Sequence, residues 1–122
     1  MSRRSFRTKE LYIASFLRED EEDYNNSIKV YDEPQYLGKQ NIQPLSGNSD
    51  IAEYGARVRQ MQKVLLDYDK YLGKFKENDV AYLDGITPEK ENVFGEKANY
   101  RIHSVRNQNK KIAIYFEKLP NK

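Results

Sequence analysis

The stretch ANYRIHSVRNQNKKIAIYFEKL, residues 98–119, contains the clearest alternation of apolar and polar residues in the chain. Two alternating runs flank the polar segment 106–110, a pattern typical of two strands joined by a turn. The side chains that share one face of this β-hairpin, and that we expect to be buried, are Ala98, Tyr100, Ile102, Ile112, Ile114 and Phe116. The opposite face is partly apolar as well, with Val105, Ala113, Tyr115 and Leu119. Such a strand pair is typical of a small β-barrel or β-sandwich.

Two further strands are predicted near residue 30. Residues 27–31 (SIKVY) alternate, and after a turn the segment 36–45 (YLGKQNIQPL) forms a second strand, in which Gly38 indicates a bulge. Pro44 has no N–H to donate to a neighbour, so this strand ends there or lies at a sheet edge.

A short helix is predicted in the middle of the chain. Ser49 or Asp50 is suited to begin it, and the apolar residues of the segment 51–61 have helical spacing. Gly55 interrupts this run and costs a helix about 1 kcal/mol relative to alanine. We therefore expect a short helix that depends on contacts with the rest of the protein.

The remaining segments complete a mainly β architecture. Residues 62–69 are extended, residues 80–85 form a short strand, and residues 86–97 form a long loop that contains Pro88 and Gly95. Together the patterns predict a barrel or sandwich of about six strands with one inserted helix.

The first 26 residues differ from the rest, because residues 1–9 are basic and residues 18–26 are acidic. Between them lies ELYIASFL, for which the spacing of large apolar residues predicts a short helix from Thr8 to Leu17. Two interpretations stay open: a solvated tail with an apolar patch, or an arm that packs on a neighbouring subunit. We assign residues 1–26 to an N-terminal extension and residues 27–122 to the barrel domain.

The composition fits one small domain with a modest core. The chain has 122 residues, of which 38% are hydrophobic and 33% charged, and its mean hydropathy is −0.96. A chain this polar buries limited apolar surface, so neighbouring subunits would add to its stability. The ten tyrosines fit either strands or interfaces.

Several classes of protein are disfavoured by the sequence. The chain contains no cysteine, which excludes disulfides and thiolate chemistry. Its first residues are basic and polar, so no secretory signal is predicted, and no apolar run is long enough for a membrane span. A net charge of +2 does not indicate a broad DNA-binding surface.

Catalytic and metal-binding patterns are also missing from the sequence. His103 is the only histidine and lies in a predicted strand without an adjacent acid or nucleophile motif. Asp67 and Asp69 begin a segment that does not match a calcium loop. Such a loop needs glycine at its sixth position and glutamate at its twelfth, where this chain has Leu72 and Asn78. We therefore predict no catalytic residue, no metal site, no cofactor and no enzymatic activity.

One stretch has some character of a nucleic-acid surface. The segment 100–111 comes closest to such a surface, with Tyr100 beside Arg101, Arg106, Lys110 and Lys111 near the hairpin turn. The same pattern is also explained by a charged strand edge, because charged residues at an edge discourage pairing between molecules.

The order of three short stretches resembles the head-closure proteins of long-tailed bacteriophages, which are also called stoppers or head–tail connector proteins. These stretches are NIQPLS (residues 41–46), KENDVAY (residues 76–82) and ANYRI (residues 98–102), followed by IYFEKL near the end. The resemblance covers residues 27–119 and depends on the order and spacing of the stretches. The N-terminal extension departs from the shorter members of the family.

The resemblance implies a structural virion protein. Members of the family are small β-barrels that form a ring below the portal and adaptor proteins, close the DNA-filled capsid and offer a docking surface to tail-terminator or tail-tube proteins. For this chain it implies a homo-oligomeric ring around packaged double-stranded DNA, found in the virion and, during assembly, in the host cytoplasm, with no membrane contact.

The resemblance also implies two sets of site residues. The insert from Gly47 to Val58 would face the channel as a gate, with the candidates Gly47, Asn48, Ser49, Asp50, Ile51, Glu53, Tyr54, Gly55 and Arg57. A helix that only caps the barrel is the alternative for this insert. Ring closure requires two different patches on each subunit, and the candidates are Phe6, Leu11, Tyr12, Phe16, Leu17, Val93 and Phe94.

Two other functions remain open at this point. A phage adaptor or tail-completion protein is also small and ring-forming. A monomeric barrel that binds single-stranded nucleic acid belongs to a different class, and salt-sensitive binding of single-stranded DNA would distinguish it.

Overall fold

The structure, a computed structural model, describes residues 8–21, 27–45 and 48–120 and is mainly β. The strands in these ranges are β1 Thr8–Ala14, β2 Phe16–Glu21, β3 Ser27–Tyr31, β4 Gln35–Asn41, β5 Gln43–Pro44, β6 Met61–Asp67, β7 Val80–Tyr82, β8 Tyr100–Gln108 and β9 Lys111–Lys118. The helices are α1 Asn48–Tyr54, a 3₁₀ helix at Gly55–Gln60 and α2 Tyr68–Tyr71. Among these helices, none combines the length and apolar character needed to cross a bilayer.

Seven of these strands form one antiparallel sheet in the order β4-β1-β7-β8-β9-β6-β5. The two edge strands, β4 and β5, are separated along the chain by Ile42 alone, which is buried. Because consecutive Cα atoms are about 3.8 Å apart, the two edges of the sheet must lie close together, and the sheet curls into a barrel. If β4 and β5 are taken as one interrupted strand, six strands surround the core, which confirms the predicted small barrel.

The core of the barrel is formed by the inward faces of these strands. The predicted buried face of the hairpin is confirmed for five residues, because Ile102, Ile114 and Phe116 are fully buried and Tyr100 and Ile112 nearly so. The place predicted for Ala98 on this face is wrong, because Ala98 precedes β8 and packs in a separate cluster with Ala14, Val80 and Tyr82. The cluster that the five residues join also contains Leu11, Ile13, Leu37, Ile42, Val64, Leu66, Phe75, Ala81 and Leu83. Strand alternation accounts for most of these side chains, whereas Ile42, Phe75 and Leu83 lie outside the strands.

The expected place of Val105 on the opposite face of the hairpin is wrong. Ile102 lies opposite Phe116, but Ser104 lies opposite Tyr115, so His103 is an extra residue in β8. This β-bulge reverses the alternation beyond it, because each later side chain turns to the other face. Val105 therefore packs against the barrel core.

The second predicted strand is interrupted as expected at Gly38. Glu10 of β1 lies opposite Lys39 and Tyr12 lies opposite Tyr36, so two residues of β4 oppose one residue of β1. Gly38 in this bulge has a φ of 80°, a conformation that glycine adopts readily. Pro44 lies in β5 at the edge of the sheet, as predicted.

The predicted helix from Thr8 to Leu17 is wrong, because this segment forms β1 and the beginning of β2. Strand β1 lies between β4 and β7, where Leu11 and Ile13 enter the barrel core and Ala14 packs on the other side with Val80 and Tyr82. A short segment with apolar residues on both faces fits a helix and a strand equally well. Residues 8–14, which the sequence assigned to the extension, thus belong to the barrel sheet.

Strands β2 and β3 form a separate two-stranded sheet. The end of this sheet at which β2 begins is held by Asp79. The Asp79 side chain is fully buried and accepts hydrogen bonds from the backbone N–H groups of Phe16 (2.8 Å) and Lys76 (3.0 Å). The N–H of Asp32 donates to the carbonyl oxygen of Ser15 at 2.8 Å. These contacts fix the hairpin relative to the barrel.

Candidate interaction surfaces

The inserted segment forms α1 followed by the 3₁₀ helix. The change of helix type falls at Gly55, whose φ of 61° lies in the left-handed region. A residue in this conformation ends an α-helix, and glycine adopts it without steric cost. The helix predicted for residues 51–61 is therefore present, but it begins three residues earlier and its α-helical part ends before Gly55.

The insert packs on the outer face of the barrel through Tyr54. The Tyr54 side chain is 8% exposed, and its ring centroid lies 5.4 Å from that of His103 and 5.9 Å from that of Tyr115. Leu45, Met61 and Ala113 complete this second apolar cluster, with Val58 packed against it. The helix thus covers an apolar strip on β9 that the barrel core does not use.

Ion pairs fasten both halves of the insert to the barrel. Arg106 of β8 donates to both carboxylate oxygens of Glu53 and, at 3.0 Å, to the Tyr54 hydroxyl. Arg57 donates to both carboxylate oxygens of Glu117 at 2.8 and 2.9 Å, and Arg101 donates to the same carboxylate at 2.7 Å. Bidentate arginine pairs of this kind fix orientation as well as distance.

These contacts change the ionisation of the Glu117 carboxyl. The hydrogen bonds from Arg57, followed by the one from Arg101, hold the pKa of Glu117 below the ordinary value of 4.5. A carboxyl whose pKa is lower in the folded state than in the unfolded state stabilises the folded protein. This stabilisation is complete when the pH lies above the unfolded-state pKa, and it is lost as the pH falls through the folded-state pKa.

We expect Glu117→Gln to lower the free energy of unfolding at pH 7 by about 1–2 kcal/mol, allowing for the partial exposure of both arginines. The difference from the unsubstituted protein should shrink as the pH falls below 4.5, and urea unfolding at several pH values measures it. Arg57→Gln is the matched control and should retain part of the pH dependence, because Arg101 remains. Parallel pH profiles for Glu117→Gln and the unsubstituted protein would contradict this assignment.

The gate candidates occupy different environments in the insert. Gly47 lies outside the described residues, and the structure describes the backbone of Asn48, Ser49 and Asp50 as the first turn of α1. The Ile51 side chain is 49% exposed. Glu53, Tyr54 and Arg57 hold the insert on the barrel, as described above. Whether any of these residues faces a channel stays a prediction.

The long connection between β7 and β8 is organised around Glu91. Its carboxylate accepts hydrogen bonds from the Tyr82 hydroxyl (2.8 and 2.9 Å), the Gly95 N–H (3.3 Å) and the Lys97 N–H (2.8 Å). Burial, followed by the hydrogen bond to Glu91, raises the pKa of Tyr82 far above its ordinary value. The loop is therefore held in one shape, although it contains no helix or strand.

This loop and β3 enclose a groove with a volume of about 620 Å³. Val93 and Phe94, two of the predicted interface residues, are 64% and 51% exposed and line it. The other residues that line the groove are Ile28, Lys29, Val30, Tyr31, Glu33, Pro34, Pro88, Glu91 and Asn92. Its walls are mostly apolar and its size is that of a ligand-binding cleft.

The other interface candidates are not equally accessible. Leu11 is fully buried inside its own barrel, so its side chain is not available to a neighbouring subunit. Tyr12 packs against Tyr36, and Phe16 packs edge-on against Tyr31. Leu17 is 52% exposed on β2, and Phe6 lies outside the described residues.

Sequence reasoning missed the β3 side of the groove. The alternation of residues 27–31 predicts the strand but not what lies beside it. Ile28 is 44% exposed although it is a large apolar residue in a strand, and its position next to the long loop follows only from the tertiary structure.

The basic residues near the hairpin turn are mostly engaged in ion pairs. Arg101 contacts Glu117, Arg106 contacts Glu53, and Lys111 contacts Asp67 at 2.8 Å. Phosphate groups would have to compete with these carboxylates, which weakens the case for a nucleic-acid surface. In the described ranges, no group of three or more histidine and carboxylate side chains is placed to hold a metal ion.

No family model matches the chain, and neither the curated proteins nor the solved structures contain a significant match to it.

Proposed function

We propose that this protein is a structural component of a tailed-bacteriophage virion, which forms a ring at the head–tail interface. In this proposal the ring closes the DNA-filled capsid below the portal and adaptor proteins and gives the tail a docking surface. The subunit is a small barrel, and contacts between copies of a folded chain add stability through mass action.

The observation that carries this proposal is the structural role of the three stretches on which the family resemblance depends. Residues 41–46 contain the junction at Ile42 that joins the two sheet edges. Residues 76–82 contain the buried Asp79, and residues 98–102 contain the start of β8, which pairs with β7. Asn99 connects the last two stretches, because its backbone N–H donates to the carbonyl oxygen of Ala81 at 3.1 Å. Its side chain also holds the residue after the second stretch, Leu83, by accepting from its N–H at 2.9 Å and donating to its carbonyl oxygen at 3.0 Å. Residues with such roles would be retained in a family that shares this barrel.

The surface of the subunit supports assembly into a ring. A ring requires two different complementary patches on each subunit. The groove beside Phe94 is one apolar patch, and exposed apolar surface of this kind marks an interaction site in soluble proteins. The insert would face the channel, held on the barrel by Glu53 and Arg57, with Ile51 as its exposed apolar side chain.

Electron microscopy of phage particles tests the proposed function directly. Deletion of the gene should give filled heads that lack tails, together with free tails, and expression of the protein from a plasmid should restore joined particles. A tag at the exposed residue Leu65 should be located at the head–tail junction by antibody labelling. Normal joined particles without the gene, or labelling elsewhere in the particle, would contradict the proposal.

A gel-shift assay with single-stranded DNA separates this proposal from a monomeric nucleic-acid-binding barrel. Because three basic residues at the hairpin are paired with carboxylates, we expect no salt-sensitive binding at micromolar protein concentration. Binding that weakens steeply with salt would favour the other class.

A further inference from the structure

We propose that the groove between β3 and the β7–β8 loop binds the N-terminal segment, residues 1–7, of a second copy of this chain, with Phe6 among its apolar residues. The inference rests on the proposed function, because it names the contact that joins neighbouring copies in the ring.

The groove has the shape needed for an extended segment. Four consecutive residues of β3, from Ile28 to Tyr31, line it. Side chains of a strand alternate between its two faces, so a groove that contacts four successive residues must run along the edge of the strand. Within the described residues β3 pairs with β2 alone, so this edge is open to a further strand.

The opposite wall offers apolar side chains to such a segment. Pro88, Val93 and Phe94 lie across the groove from β3. Val93 and Phe94 are more than half exposed on a loop that Glu91 holds in place, so the site needs little rearrangement before binding. One aromatic side chain on the incoming segment would cover both residues.

Charge favours the N-terminal segment as the occupant. Residues 1–7 (MSRRSFR) contain three arginines, one phenylalanine and no acidic residue. The described residues of the two-stranded sheet and its exit, 16–21 and 27–33, contain five carboxylates and two basic residues. Residues 84–97 contain four carboxylates and two lysines. A basic segment with one aromatic residue thus matches an acidic surface with an apolar groove.

We assign the segment to another copy, because Phe6 of the same chain starts at the end of β1 that is opposite to the β3 wall, whose Tyr31 end lies next to Ser15. Phe6 is two residues from Thr8, which allows a separation of about 7 Å at most. The β3 wall of the groove begins beyond the other end of β1, and the seven residues of β1 span about 20 Å. A segment on one surface and a groove on another give a head-to-tail contact, the kind that closes rings.

Disulfide crosslinking tests the contact, and the absence of cysteine in the full chain makes each crosslink specific. One full-length chain carries Phe6→Cys and a second carries Val93→Cys, and the two are mixed under mild oxidation. We expect a heterodimer on a non-reducing gel that forms at least tenfold faster than in a mixture of Phe6→Cys with Leu65→Cys. Leu65 is the matched control, because it is 46% exposed but lies on β6. Raising the salt concentration should slow the specific crosslink several-fold.

Crosslinking of Phe6→Cys to Val93→Cys that is no faster than to Leu65→Cys would overturn the inference. It would also be overturned if a chain carrying both Phe6→Cys and Val93→Cys formed an intramolecular crosslink while the mixture of the two single variants formed no dimer. The outcome is separate from that of the proposed function. A ring seen at the head–tail junction without the specific crosslink refutes the segment–groove contact alone. A specific crosslink in a protein that is absent from the junction refutes the virion role and leaves the contact in place.

Discussion

Asp79→Ala is expected to lower the free energy of unfolding by about 2–4 kcal/mol, because it leaves two backbone donors without their acceptor. The Asp79 carboxylate is fully buried and accepts from the N–H groups of Phe16 and Lys76, with the Lys76 ammonium 3.3 Å away. It therefore joins the start of β2 to the turn that precedes β7. Urea unfolding followed by circular dichroism measures the change.

Two controls assign this effect to the carboxylate. Asp79→Asn keeps the shape and one acceptor but directs an amide N–H₂ group at a donor, so its loss should be intermediate. Glu77→Ala removes an exposed carboxylate two residues away and should stay within about 0.5 kcal/mol of the unsubstituted protein. Equal stability of Asp79→Ala and Glu77→Ala would show that the buried hydrogen bonds contribute nothing.

Gly95→Ala is expected to cost about 2–4 kcal/mol through two separate effects. The φ of Gly95 is 88°, a conformation in which a β-carbon is strained. An added Cβ would also lie 2.5 Å from Cδ2 of Tyr31, far inside van der Waals contact. The substitution should therefore separate the β7–β8 loop from β3, lower the thermal stability and abolish the Phe6–Val93 crosslink.

Gly85→Ala is the control for backbone strain alone. Gly85 has a φ of 83°, but no atom lies within 4 Å of an added Cβ, so we expect a loss of only about 1–2 kcal/mol. In a double-mutant cycle, Tyr31→Ala should remove the additional loss caused by Gly95→Ala. If Gly95→Ala and Gly85→Ala are equally stable, the close contact between the loop and β3 is refuted.

Much of the barrel follows from the sequence, because strand alternation is a local signal. The hairpin of β8 and β9, the bulge at Gly38 and the edge position of Pro44 are all confirmed. The error at Val105 has a local cause. One extra residue at His103 reverses the alternation of side chains along β8, and nothing in the sequence indicates this bulge. The helix predicted for residues 8–17 is wrong because the partners of β1, which are β4 and β7, are distant in sequence.

The surfaces were less predictable than the fold. Val93 and Phe94 are predicted interface residues in a long loop, and both are exposed. Leu11 is predicted as an interface residue of the N-terminal arm but is buried, since apolar character alone does not distinguish an interface from a core. The groove itself requires β3 and the loop to lie side by side, which the contact between Gly95 and Tyr31 fixes and which no periodicity encodes.

The position of β1 between β4 and β7 has a consequence for biosynthesis. Tyr12 of β1 pairs with Tyr82 of β7, and 69 residues separate them along the chain. At a translation rate of about 5–20 residues per second, β1 leaves the ribosome roughly 3–14 s before β7 does. During that interval a nascent chain can pair β1 with β4 but exposes the other edge of β1, together with Leu11 and Ile13, to chaperones and to other nascent chains. Codon changes that slow translation between residues 45 and 80 should therefore lower the soluble yield without altering the finished protein.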